Sequence, residues 1–106
     1  MAHYLFSASY TPAGLAGLVK EGASSRIKAL QDAAGSVGGK VEAMYWSFGK
    51  SDVILIVELP DNVAAAALST TVAAAGVAHI LTTVLLTADE VDKARALHPS
   101  YRAPGA

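Results

Sequence analysis

The segment KVEAMYWSFGKSDVILIVELPD, Lys40–Asp61, decides the fold. Its first part, up to Phe48, is β-prone and carries adjacent aromatic residues at Tyr45 and Trp46. Its second part, Val53–Leu59, is a continuous aliphatic strand rich in β-branched residues. Gly49-Lys50-Ser51 is short enough to join the two as a hairpin. Pro60 stops the second strand, and Asp61 is placed to cap the free N–H groups of a following helix.

On the N-terminal side, His3–Tyr10 reads as a strand with aromatic residues at Tyr4, Phe6 and Tyr10. Thr11-Pro12 opens a helical region, since the N–H that proline lacks is not needed in a first turn. Gly14, Gly17 and Gly22 weaken this first piece. A stronger helix follows Ser24-Ser25, with Ile27, Leu30, Ala34 and Val37 forming one apolar stripe that Gly38-Gly39 ends. On the C-terminal side, a helix over Asn62–Ala75 presents Ala64, Leu68, Val72 and Ala75 inward, and Gly76 closes it. Ala78–Leu86 is the fourth strand. Thr87-Ala88-Asp89-Glu90 matches a capping box for a last helix reaching Leu97. The order β-α-β-β-α-β plus a helix predicts an α+β, ferredoxin-like domain over residues 1–97, with a loose tail over 98–106. Its four-stranded antiparallel sheet carries the two main helices on one face.

Composition supports a packed domain. Of 106 residues, 53% are hydrophobic and 16% charged, which excludes intrinsic disorder. Eight basic against nine acidic side chains, with no dense basic cluster, argue against nucleic acid or an acidic membrane surface as partner. The lack of cysteine excludes disulfides, thiolate metal sites and cysteine nucleophiles, and fits a cytoplasmic location. No signal peptide is expected, because Met1-Ala2-His3-Tyr4 has no basic cluster before an apolar run. Val63–Ala88 carries no Asp, Glu, Lys or Arg, but it is rich in Ala, Ser and Thr and flanked by Asp61 and Asp89. It changes character at Gly76, so it reads as helix, turn and strand rather than a membrane span.

If helices cover one face only, the strands should alternate apolar and polar. They do not. Val53, Leu55 and Val57 lie on one side of the third strand, and Ile54 and Ile56 on the other. In the fourth strand Leu81 and Leu85 oppose Ile80, Val84 and Leu86. Leaving such side chains in water forgoes about 1.5–3 kcal/mol apiece, a large share of a domain's stability of roughly 5–15 kcal/mol. The expected cover is a second copy of the same sheet about a two-fold axis, giving a homodimer or an assembly of dimers.

These residues resemble the GYD domain family, placed among the dimeric α/β barrels. The resemblance runs from Tyr4 to Glu90. It rests on Tyr10-Thr11 with Gly14, on Arg26, on Gly38-Gly39, on Tyr45 and on the turn Gly49-Lys50-Ser51-Asp52. It continues through Glu58-Leu59-Pro60-Asp61, Gly76 and Thr87. Ser51 stands where the eponymous Gly-x-Tyr-Asp turn has its tyrosine, so any role of that tyrosine is lost or replaced. The resemblance implies a ferredoxin-like protomer that pairs sheet to sheet; it carries no established activity.

The candidate chemistry is sparse. Gly49-Lys50-Ser51 imitates the end of a P-loop, but Met44 occupies the place of the first glycine, so it reads as a turn. His3 and His79 open strands that would be neighbours, and two imidazoles near one rim would bind a metal or exchange protons near neutral pH. No carboxylate spacing completes such a site, so no metal or haem is expected and strand-end histidines half in water are the simpler reading. Tyr45 and Trp46 point to opposite faces, one under the helices and one into the dimer interior. Ser7 and Ser9 share a side with His3. An interior displaying His3, Ser7, Tyr45 and His79 on apolar walls describes a small-molecule pocket; hydrogen bonding among these groups across an interface is the simpler alternative. Glu58 is a candidate partner for Arg26, or a base if buried. Asp61 reads as a helix cap and Asp52 as a turn former.

The expected function is thus a small cytoplasmic dimeric barrel that binds a small hydrophobic ligand or serves as an assembly or accessory module. The alternative is a cofactor-independent enzyme (oxygenase, isomerase or proton-transfer type) acting on a hydrophobic small molecule, with His79, Tyr45 and Glu58 as candidate catalytic residues. Haem binding is a third reading and needs an axial ligand.

Overall fold

Period-two alternation in β1 (Ala2–Tyr10) buries Tyr4, Phe6 and Ala8 on one side, and β3 (Val53–Leu59) buries Val53, Leu55, Val57 and Leu59 on the same side. A computed structural model describes residues 1–106. The remaining elements are α1 (Pro12–Glu21), α2 (Ala23–Ser36), β2 (Lys40–Trp46), α3 (Asn62–Ala74), β4 (Ala78–Leu85) and α4 (Ala88–Arg95). All strand pairs are antiparallel, in the order β2-β3-β1-β4. This is the ferredoxin-like βαββαβ arrangement with an added C-terminal helix.

The core lies between the sheet and helices α2 and α3. Tyr4, Phe6, Leu55, Val57 and Leu59 meet Ala34 of α2 with Ala65 and Leu68 of α3. The small helical residues let the backbones approach the sheet. Ala64 and Val72 pack at the core margin, but Ala75, just past the end of α3 at Ala74, is exposed.

Side-chain caps fix where the helices begin. Thr11 Oγ1 accepts the Gly14 N–H at 3.2 Å, and its hydroxyl donates to the Gly76 carbonyl at 2.8 Å, tying the start of α1 to the turn before β4. Asp61 Oδ1 accepts the Ala64 N–H at 2.9 Å, the role expected of it. Thr87 and Glu90 form the expected reciprocal capping box. At two glycines a side chain has no room: a Cβ on Gly14 would overlap the Val77 carbonyl, and one on Gly39 would overlap that of Glu58.

β2 ends at Trp46, two residues before the expected Phe48. The Ser47 N–H turns to the Asp52 carbonyl at 2.9 Å, and Phe48 takes a positive φ of 47°. Asp52 does more than form a turn, since its Oδ2 accepts the Tyr10 N–H at 2.8 Å and its own N–H donates to the Ala8 carbonyl at 2.9 Å. No helix is long and apolar enough to cross a membrane. No residue of α4 is buried. Together with residues 98–106, which are exposed and form neither helix nor strand, it stretches the chain to 57 × 32 × 22 Å. The radius of gyration, 16.8 Å, exceeds the roughly 13 Å of a compact 100-residue domain.

Candidate functional site: the open face of the sheet

The helices cover one face of the sheet and leave the other open. Strand register arranges the open face in transverse rows. Tyr45, Ile54, Ser7 and Leu81 form one row, and Ala43, Ile56, Leu5 and Thr83 the next. Lys40, Glu58, His3 and Leu85 form the third, toward one end of the sheet. Tyr45 is 72% exposed, Leu81 70% and Ile54 37%. The sheet is therefore apolar on both faces, and only one of them is covered by the chain itself. Trp46, next to Tyr45, lies under the helices, where its Nε1–H donates to the Tyr10 hydroxyl at 3.0 Å.

At the third row a β-bulge changes what the face displays. Val41 pairs with Val57 and Ala43 with Ile56, so Glu42 is the extra residue of β2. A bulge sets two residues against one and shifts the alternation of everything beyond it. Glu42 is thereby brought beside His3, with Oε1 2.6 Å from His3 Nδ1. Glu58 sits opposite His3 in the ladder and pairs with Lys40, Nζ to Oε2 3.2 Å. One donor atom from each of His3, Glu42 and Glu58 lies within 4.8 Å of the others. A cavity of about 200 Å³ adjoins them, lined by His3, Glu42, Ile56, Leu85, Leu86 and Thr87.

On the covered side, the space bounded by Phe6, Leu30, Met44, Leu55 and Val72, with Arg26 at its edge, amounts to about 50 Å³. That is a packing gap, far smaller than the chamber a drug-sized ligand needs. Two titrating groups are shifted. Burial of the Tyr4 hydroxyl, which donates to Asn62 Oδ1 at 2.6 Å, pushes its pKa up, and the Asp61 carboxylate adds to this. Hydrogen bonds from the Thr87 backbone and side chain hold the Glu90 carboxyl below its ordinary value, with a smaller pull from His3.

The model of the GYD domain matches residues 4–94 of the chain. The chain belongs to the GYD domain family. No curated protein and no solved structure matches it.

This GYD domain brings together some of the residues singled out in its sequence and separates others. His3, Ser7, Tyr45, Glu58 and His79 all project from elements of the open face, but they do not form one cluster. His3 and His79 are not at one rim: His3 pairs with Leu85, and His79 with Ser9. Neighbouring antiparallel strands put their first residues at opposite ends of a sheet. Six ladder positions at about 3.3 Å each separate the two imidazoles by roughly 20 Å. His79 is equally far from Glu58, so the three candidate catalytic residues do not share a centre within one chain. Glu58 does not pair with Arg26 either. Its partner is Lys40, and Arg26 lies 3.9 Å from Glu21.

Glu42 was not among the residues expected at the site. In regular alternation Lys40, Glu42, Met44 and Trp46 would share a face, and a bulge leaves no simple mark in the residue pattern. The turn that gives the family its name, with Ser51 in place of tyrosine, is held by the bonds from Ser47 and Gly49 to Asp52 and Ser51.

Proposed function

We propose that the open face of this GYD domain is one wall of a chamber closed by a second copy of the chain, and that the chamber takes a small, mostly apolar molecule. The observation that carries this reading is the row Tyr45–Ile54–Ser7–Leu81. It sets two strongly exposed apolar side chains and a half-covered isoleucine around one serine, in the middle of a rigid sheet. Burying a surface of this kind is the main favourable term in association. A two-fold copy supplies a matching apolar surface without any further gene product. The projecting helix α4, with Val91 about half exposed, and Leu97 just beyond its end, 79% exposed, offer a second region that the chain itself leaves uncovered. Inside such a chamber Ser7, Ser9, Thr83 and His79 are the polar groups available to orient a ligand, which matches the few polar contacts typical of small-molecule sites.

Native mass spectrometry of the purified protein tests the reading. The expected spectrum shows a dimer mass, with an added small-molecule mass that is lost on collisional activation. A dimer without any added mass leaves the assembly or accessory role, and a single-chain mass overturns the chamber.

A further inference from the structure

The geometry points to a divalent metal site built from His3, Glu42 and Glu58, at the end of the open face. The three residues come from three adjacent strands, β1, β2 and β3, of one sheet. Their donor atoms are one imidazole nitrogen and two carboxylate oxygens, all within 4.8 Å of one another. A mixed nitrogen and oxygen set of this kind suits first-row divalent ions such as Zn²⁺, and three protein ligands leave positions for water or a bound molecule. Ligand atoms about 2.0–2.1 Å from a common ion stand roughly 3.0–3.4 Å apart. Small rotations of the two glutamate side chains bring the set from its present spacing to that distance.

Three further features favour a site over a chance cluster. The ligands stand on strands, which hold side-chain positions more tightly than loops do. Glu42 is the extra residue of the bulge between Val41 and Ala43, and bulges recur next to functional sites. The adjoining cavity shares His3 and Glu42 with the cluster, and its other walls are mainly apolar (Ile56, Leu85 and Leu86). Open coordination positions would therefore face a space of about 200 Å³, suited to a small molecule with one oxygen donor. Lys40 now neutralises Glu58, but its side chain is 72% exposed and free to swing into solvent as the ion takes its place. The rival arrangement is a plain network of two pairs, His3–Glu42 and Lys40–Glu58.

All three ligands belong to one chain, so the site does not depend on the proposed dimer. The test is titration of chelator-treated protein with Zn²⁺ by calorimetry and with Co²⁺ by visible absorption, on the wild type, Glu42→Gln, His3→Gln and His79→Ala. The expected result is one ion per chain with cobalt d–d bands. Affinity should fall by about tenfold or more in Glu42→Gln and His3→Gln and stay unchanged in His79→Ala. Circular dichroism checks that each variant is folded; the replaced side chains are partly exposed, so folding is expected to survive. Absence of saturable binding overturns the assignment, as does binding that the Glu42 and His3 changes leave intact or that the His79 change abolishes. Sedimentation of the same samples reports the dimer separately, so failure of the metal site and failure of the chamber are distinguishable.

Discussion

Replacing Leu81 by lysine separates a covered face from a bare one. In a single chain Leu81 is 70% exposed. If nothing covers it, the change belongs with ordinary surface substitutions, which move stability by no more than about 0.5 kcal/mol. In a two-fold dimer the same change enters one interface twice. Fully burying a leucine is worth about 1.5–3 kcal/mol, and scaling by the exposed share gives roughly 1–2 kcal/mol per copy, or 2–4 kcal/mol per dimer. At 1.4 kcal/mol per factor of ten, the dimer dissociation constant rises by about 30- to 700-fold. The cost of desolvating two ammonium groups in an apolar interface comes on top. Sedimentation velocity over a concentration series reads the constant directly, and circular dichroism reports the protomer's fold. The wild type should be dimeric at low micromolar concentration and Leu81→Lys monomeric but folded. A wild type that sediments as a stable, cooperatively folding single chain refutes the reasoning, and so does a variant that dimerises like the wild type.

The glycines give a contrast within one chain. Gly39→Ala and Gly14→Ala drive a Cβ into the Glu58 and Val77 carbonyls and should cost about 2 kcal/mol or more, whereas Gly35→Ala, in open space on α2, should gain roughly 0.5–1 kcal/mol. Thermal melting ranks the three. Thr87→Ala removes the capping box and should fray α4 in hydrogen exchange while leaving the melting temperature nearly unchanged, because no residue of α4 is buried. Glu90 is held below its ordinary pKa, so its contribution to α4 is present above that ordinary value and lost as pH falls through the folded one; an NMR pH titration of α4 checks the direction. Tyr4 has the opposite sign. Its raised pKa means that stability is full below the unfolded tyrosine value and declines as pH rises past it; Tyr4→Phe should cost about 1 kcal/mol at neutral pH and flatten alkaline unfolding curves.

Much of this architecture was legible in the residue order. Local rules were enough for the caps at Asp61 and Thr87, for the helix start at Thr11-Pro12, for the stop at Pro60, and for the period-two runs of β1 and β3. The placement of Tyr45 and Trp46 on opposite faces also followed from alternation alone. Where a turn depended on partners distant in sequence, local reading fell short. β2 ended early because Asp52 draws Ser47 toward it, and Asp52 itself is anchored to Ala8 and Tyr10 of β1. The inward face of α3 stops short of Ala75, which is exposed.

The sequence by itself determined the strand and helix order, the family, and a sheet whose two faces are both apolar, because each depends on residues near one another along the chain. The tertiary structure decided that Glu42 meets His3 and Glu58. Antiparallel pairing sends His79 to the far end of the sheet from His3, and one bulged residue turns Glu42 toward His3 and Glu58. The first follows from the antiparallel order of the strands; the second depends on a bulge within the β2–β3 hairpin that sets Glu42 beside β1. Hydrophobic alternation and turn geometry specify most of the register, but the place of a single extra residue in a strand leaves no simple mark in the pattern.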